Sequence, residues 1–373
     1  MRTWKRYLER QVQRDLNRKM VFVGGPRQVG KTTMSRRILG RRRGYLNWDI
    51  PEDREAILKR ILPDTSMWVF DELHKYRKWR NYLKGLYDQY YETKKILVTG
   101  SARLDLYRFG GDSLQGRYHY LRLHPFSAGE LGIDDQDGME TLLHLGGFPE
   151  PFLGGSEVEA RRWSREYRAR LIEEEIGSLE RIQDLGTLEL LMLRLPELVG
   201  SPLSINALRE DLQVAHSTVA GWLEVFERTY AIFRLSPFGA PRIRAVKKER
   251  KHYHFDWTLV EEPAARFEKM VACHLLKWVH FQQDSKGEDI ELRYFRDVDR
   301  REVDFVLTRK NRPIQFIECK LGDTGVDRGL RYLKERFPEV PAFQVSLRGK
   351  TDRLATREKI RLLPAWRYLR NLV

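Results

Sequence analysis

The chain has 373 residues, with 68 Lys and Arg against 53 Asp and Glu, a formal net charge of +15 and an isoelectric point near 9.7. That length exceeds one small core and predicts two or three domains, while the charge favours an acidic polymer such as nucleic acid as partner, with an anionic membrane surface as the competing one. No apolar run approaches the ~20 residues of a membrane span, the charged start from Met1 to Arg18 does not resemble a signal peptide, and Cys273 and Cys319 make no disulfide framework or paired metal motif, so a cytoplasmic protein with inert core thiols is expected.

In chain order, Trp4, Tyr7, Leu8, Val12 and Leu16 recur at helical spacing and predict a helix with a basic outer face. Met20-Val21-Phe22-Val23 predicts a buried parallel strand, and Thr33 to Leu39 a helix. Between them, Gly25-Pro26-Arg27-Gln28-Val29-Gly30-Lys31-Thr32 has the spacing of a phosphate-binding loop. Glycine is needed where backbone N–H groups close on phosphate oxygens, and the helix N-terminus adds partial positive charge. Lys31 is expected to reach the β- and γ-phosphates of ATP, Thr32 to ligate Mg²⁺, and Thr33 to complete the nucleotide-binding set. The alternative is a glycine turn beside a surface lysine.

Tyr45 to Trp48 predicts the second strand, with Asp49 at its end, and Pro51 opens a helix over Glu52 to Leu62. Met67-Trp68-Val69-Phe70-Asp71-Glu72 is an apolar strand ending in two acids, the form of a Walker B segment. Asp71 is expected to hold Mg²⁺ and Glu72 to polarise the attacking water. Trp79 to Tyr91 continues as a helix and Ile96 to Thr99 as a strand.

Three segments together carry a resemblance: Gly25 through Thr33, Asp71-Glu72-Leu73-His74-Lys75, and Leu97-Val98-Thr99-Gly100-Ser101-Ala102. They resemble the prokaryotic AAA-type ATPases whose C-terminal half is a winged-helix and nuclease-like region. The resemblance implies that Ser101 senses the γ-phosphate. It also implies that Arg117, in Leu114-Gln115-Gly116-Arg117, is an arginine finger reaching a neighbouring subunit of a homo-oligomer; a surface arginine is the alternative. Tyr118 to Leu123 then alternates as the last strand of the sheet.

Gly146-Gly147-Phe148-Pro149 breaks the α/β rhythm and marks a boundary. Glu157 to Ile182 is a charged helical stretch with Trp163, Tyr167, Leu171 and Ile172 as its seam. Ile205 to Leu208 and Thr218 to Leu223, around a turn near Val214 to Ser217, predict a helix-turn-helix. The strands Ala231 to Leu235 and His252 to Trp257 flank the basic segment Arg242 to Lys251, so a winged helix fits. Ser217 or Thr218 would face phosphate or base edges, and Lys247, Lys248, Arg250 and Lys251 the DNA backbone. A protein-binding adaptor is the other use of such a module.

Arg266-Phe267-Glu268 opens a helix running to Val279, Glu302 to Leu307 is a strand, and Ile314 to Lys320 is its partner. Strand alternation puts Glu318 and Lys320 on one face and Cys319 on the other, within reach of Asp304. This hairpin resembles the PD-(D/E)XK nuclease core, which implies Glu268, Asp304 and Glu318 as metal ligands and Lys320 as activator of water. An ion-pair cluster is the alternative. Asp256-Trp257-Thr258 departs from the usual family form, which commonly has glycine two residues after the aspartate. The expected fold class is α/β in three parts: an AAA-type ATPase domain over 1–150, a helical linker and winged helix over 151–260, and a restriction-endonuclease-like domain over 261–373. The expected function is a Mg²⁺-dependent ATPase acting on DNA, with metal-dependent cleavage as an added activity. The competing function is a nucleotide switch that binds a protein partner and carries a degenerate nuclease fold.

Overall fold

In the computed structural model, which describes residues 4–40, 43–100, 114–176, 184–200, 202–239 and 250–373, the apolar runs of the N-terminal third become one parallel sheet. Helix α1 (Glu9–Asp15) precedes β1 (Met20–Gly24), α2 (Lys31–Leu39), β2 (Tyr45–Asn47), α3 (Pro51–Lys59), β3 (Met67–Asp71), α4 (Trp79–Tyr90), β4 (Lys95–Thr99) and β5 (Tyr118–Arg122). The order across the sheet is β2-β3-β4-β1-β5. Every residue of β1 and of β3 is buried, as expected of central parallel strands covered on both faces. Alternate residues Met20 and Phe22 of β1 join Trp68, Phe70, Trp79, Tyr82 and Leu83 in one apolar cluster. Each such buried side chain contributes about 1.5–3 kcal/mol. Pro51 at the first turn starts α3, and Arg60 in the left-handed region ends it. Strand β4 lies between β1 and β3, so the glycine-rich loop after β1 and the Asp71-Glu72 pair at the end of β3 leave strands that are not neighbours.

By contacts the chain forms two units, Met1–Pro125 with Asp284–Lys286, and Phe126–Gln283 with Gly287–Val373. Residues 151–260 and, apart from Asp284–Lys286, residues 261–373 fall in the second of these units. Its helices are α5 (Ala128–Leu131), α6 (Gln136–Leu145), α7 (Pro149–Gly154), α8 (Glu157–Arg170) and α9 (Leu185–Arg194), followed by α10 (Ile205–Leu212) and α11 (His216–Arg228). Helix α8 continues into a π-helical turn at Leu171–Ile176, and the rest of the helical stretch expected as far as Ile182 lies outside the described residues. The antiparallel pair β6 (Ile232–Leu235) and β7 (Lys251–His254) comes next.

Helix α12 (Pro263–Lys286) starts with Glu262 accepting bonds from the N–H groups of Ala264 and Ala265. It leads into β8 (Ile290–Arg296), β9 (Glu302–Arg309), β10 (Arg312–Lys320), α13 (Arg328–Arg336), β11 (Ala342–Ser346), β12 (Arg353–Ala355), β13 (Ile360–Pro364) and α14 (Ala365–Leu369). These strands form a six-stranded mixed sheet in the order β12-β13-β11-β10-β9-β8. The β9–β10 hairpin has the antiparallel register expected, with Phe305 opposite Ile317. Lys277 of α12 is buried against Glu130 and donates to Ser127 Oγ at 2.9 Å. Among the described residues no helix is long and apolar enough to cross a membrane.

Candidate functional site

The phosphate loop leaves the end of β1 and closes on the start of α2. Gly25 lies at φ +131, and a Cβ there would meet the Leu123 carbonyl oxygen at 2.2 Å. Backbone packing therefore demands this glycine, apart from any need to admit a phosphate. Gln28 and Gly30 also have positive φ, 57° and 94°, the alternation of backbone hand that forms anion-binding nests. Lys31 Nζ donates to the carbonyls of Gly25 at 3.0 Å and Pro26 at 2.6 Å, inside the loop's own turn. Val29 is fully buried, Arg27 half-buried, and Thr33 exposed on the first turn of α2.

From behind, the loop is held by a residue whose role no motif signals. Arg6 is buried; its Nη1 donates to the Val29 carbonyl at 2.5 Å and its Nη2 to the His124 carbonyl. Glu9, which accepts from the Arg6 N–H at 2.8 Å, also pairs with Arg37 of α2 at 3.1 Å.

Asp71, at the end of β3, accepts three hydroxyl donors. Thr32 Oγ1 is 2.7 Å from its Oδ2, Tyr45 Oη 2.5 Å from the same oxygen, and Thr99 Oγ1 2.6 Å from Oδ1. Thr99 stands directly opposite Asp71 in the β3–β4 register. Burial first, and then the charge of Asp71, push the Tyr45 phenol above its ordinary value, so it stays a donor. Hydroxyl and carboxylate oxygens are the hard donors that Mg²⁺ prefers, so Thr32 and Asp71 fit that ion. Tyr45 was legible only as part of a strand, and Thr99 only as the start of a polar motif.

Glu72 adopts the left-handed conformation at φ 55, a costly choice for a non-glycine residue and one that concentrates at functional sites. Its N–H bonds the Thr99 carbonyl at 3.0 Å, and its carboxylate lies 3.4 Å from Lys75 Nζ and 3.6 Å from His74 Nε2. Lys75 also pairs with Asp49 at 2.6 Å. Ser101 lies outside the described residues. Arg117 is not brought to the loop of its own chain: its carbonyl accepts from the Met20 N–H at the start of β1, and its Nε lies 2.8 Å from Asp88 of α4. The length of β1, about 13 Å, separates that edge from the loop.

In the second unit the structure gathers Glu268, Asp304, Glu318 and Lys320. Asp304 Oδ2 accepts from the Cys319 N–H at 2.8 Å, and Glu318 Oε2 from the Asp304 N–H at 3.1 Å. Lys320 bridges Glu318 at 2.8 Å and Asp327 at 2.9 Å. Burial opposes the Lys320 charge, but Glu318 and Asp327 outweigh it and raise its pKa. Burial, with Glu318 and Glu268 nearby, pushes the Asp304 carboxyl well up. Tyr253 Oη donates to Glu268 at 2.8 Å.

Lys251, expected on the exposed basic segment, is instead only 3% exposed. It pairs with Glu268 at 3.5 Å and with Glu302, because β7 pairs with β6 and carries it inward. Among the described residues no group of three or more His, Cys, Asp or Glu is arranged to hold a metal ion. The acids converge as the hairpin predicts, but the cluster as it stands does not fit a divalent cation. Lys247 and Lys248 lie outside the described residues.

A glycine-rich loop between strand and helix, with a strand-end aspartate bonded to the loop threonine, defines a P-loop nucleotide-binding domain. The AAA domain family AAA_14 matches residues 17–132, and this part of the chain is an AAA-type ATPase domain. Two domains of unknown function, DUF8612 and DUF4143, match residues 136–265 and 264–368. The uncharacterized proteins Rv2008c of Mycobacterium tuberculosis and Mb2031c of Mycobacterium bovis are each 23% identical over 368 residues, covering 90% of this chain and 82% of theirs. Among solved structures, the Walker-type ATPase PABY2304 of Pyrococcus abyssi is 15% identical with a TM-score of 0.44, covering 69% of this chain and 97% of that one. The Aeropyrum pernix ORC1 protein, solved in complex with DNA, is 14% identical with a TM-score of 0.35, covering 72% and 93%. At these TM-scores the likeness assigns no role to any residue.

Proposed function

We propose that the N-terminal unit hydrolyses ATP with Mg²⁺ and that hydrolysis changes how the second unit holds DNA. The observation that carries the first half is the hydroxyl set of Thr32, Tyr45 and Thr99 on Asp71, beside Lys31 in the loop. When bound, Mg²⁺ supplies charge neutralisation on the phosphoryl oxygens. Thr32 and Asp71 would hold it, Lys31 binds the β- and γ-phosphate oxygens, and Glu72 orients and polarises the attacking water. Ser101 serves as γ-phosphate sensor. Arg117 serves as a finger only if the edge at the start of β1 meets the loop of a neighbouring copy, which mixing Arg117→Ala with Glu72→Gln subunits tests by recovery of activity.

DNA as partner is supported by the charge of +15 and by the sequence α10–α11–β6–β7, which we read as a winged helix with exposed Ser217 near the start of its second helix. Cleavage is left out of the proposal, because lysines already compensate the acids around Asp304. The burial of Lys251 takes one of four basic residues off the DNA-facing segment. That favours the second reading, a nucleotide switch on a protein partner. A salt titration of duplex binding separates the two: a DNA-holding chain loses affinity linearly in log salt, with a slope of about −0.9 per phosphate contacted. Absent or salt-independent binding leaves the protein-partner reading.

A further inference from the structure

Five carboxylates, those of Glu268, Glu302, Asp304, Glu318 and Asp327, meet around the β9–β10 hairpin and the first turns of α12, with Lys251 and Lys320 among them. Acids this close repel one another unless a proton is retained or a cation lies between them. Lys320 serves the Glu318 and Asp327 side and Arg296 reaches the outer oxygen of Glu302 at 3.8 Å, leaving Glu268, Asp304 and the inner oxygen of Glu302 to Lys251. The ammonium of Lys251 lies 3.5 Å from Glu268, pairs with Glu302, and stands 5.6 Å from the centre of the Tyr294 ring. Its charge also acts on Asp304. It comes from β7, an element that supplies none of these acids.

We infer that Lys251 is the resident cation of this cluster, occupying by its ammonium the electrostatic role of a divalent ion and keeping such ions out of the wild-type protein. Removing a fixed positive charge from among carboxylates leaves them with a deficit that a mobile cation can fill. Two oxygens are placed to take it: among the described residues, Asp304 Oδ1 and Glu268 Oε2 accept no hydrogen bond, while Asp304 Oδ2, Glu268 Oε1 and both oxygens of Glu318 do. Both are hard donors, so Mg²⁺ or Mn²⁺ is the class admitted. The inference is independent of ATP hydrolysis and asks nothing of the phosphate loop.

The test counts Mn²⁺ bound to the full chain, without nucleotide, by electron paramagnetic resonance of the free ion. Wild type and Asp304→Asn should bind equally. Lys251→Met should bind an additional Mn²⁺ ion, lost again in Lys251→Met/Asp304→Asn, and should gain thermal stability in Mn²⁺ relative to EDTA. Lys251→Arg, which keeps the charge, should resemble wild type. An ion in wild type that disappears in Asp304→Asn overturns the inference, as does a folded Lys251→Met that takes up no further ion. Should Lys251→Met fail to fold, the wild-type and Asp304→Asn counts decide: unequal counts overturn the inference, equal counts uphold it.

Discussion

Two carboxylate sites in this chain are satisfied in opposite ways. Asp71 is surrounded by neutral hydroxyls of Thr32, Tyr45 and Thr99, whereas the acids around Asp304 and Glu318 are matched by the ammonium groups of Lys251 and Lys320. A hydroxyl can rotate from donor to ligand when a cation arrives, and the charge of the carboxylate remains to be neutralised. An ammonium must be expelled first, so the arriving ion gains little. Resemblance to a metal site therefore rests on what neutralises the acids as much as on where the acids stand.

The largest effect that tests this contrast is at Glu72. Glu72→Gln should lower the ATPase kcat by about 10²–10⁴-fold while retaining nucleotide, and Lys31→Ala should lose nucleotide binding, whereas Asp304→Asn should hydrolyse ATP like wild type. Steady-state hydrolysis and fluorescent-nucleotide titration measure all three; a wild-type rate in Glu72→Gln would remove it from the site.

Next, Lys251→Met in EDTA should destabilise the chain by about 3–5 kcal/mol, the usual result of stranding one side of a buried ion pair. Urea midpoints of wild type and variant report it, and an unchanged midpoint would mean that the acids had not depended on that lysine.

A smaller effect should appear in pH dependence. Burial, opposed by Lys320 and helped by Asp327, raises the Glu318 carboxyl from 4.5 to about 7. Between those values the folded chain holds a proton that the unfolded chain has released, so the contribution of Glu318 to stability falls as pH rises through the window. Glu318→Gln should flatten that part of the stability profile; parallel profiles would sink the assignment.

Smallest is Tyr45→Phe, which removes one of three donors to Asp71. About 1.5 kcal/mol, or roughly tenfold in kcat/KM, is expected, the low end for a hydrogen bond to a charged group. A loss as large as that of Glu72→Gln would give Tyr45 a part in the chemistry itself.

The phosphate loop and the Asp71-Glu72 pair were legible because each is a local event, a glycine turn or a strand end that a few consecutive residues dictate. Tyr45, Thr99 and Arg6 were not. Their meeting with Asp71 or Val29 depends on the sheet order β2-β3-β4-β1-β5, which no local pattern encodes. The β9–β10 hairpin and its convergent acids follow from strand alternation, but the burial of Lys251 does not, since basic residues in sequence look alike whether or not acids await them. The acids that pair with it, Glu268 and Glu302, stand 17 and 51 positions further on.

The closure of the phosphate loop also orders events during synthesis. Val29 is tied by Arg6 to His124, Gly25 packs on Leu123, and β1 pairs along its whole length with β5. A ribosome that has released the loop but not His124 holds a chain whose loop lacks its backing. At about 5–20 residues per second, the 95 residues between Val29 and His124 take roughly 5–19 s to emerge. During that interval the nascent chain is expected to be blind to ATP, which stalled chains of increasing length, probed with a fluorescent nucleotide, would show as a step at His124.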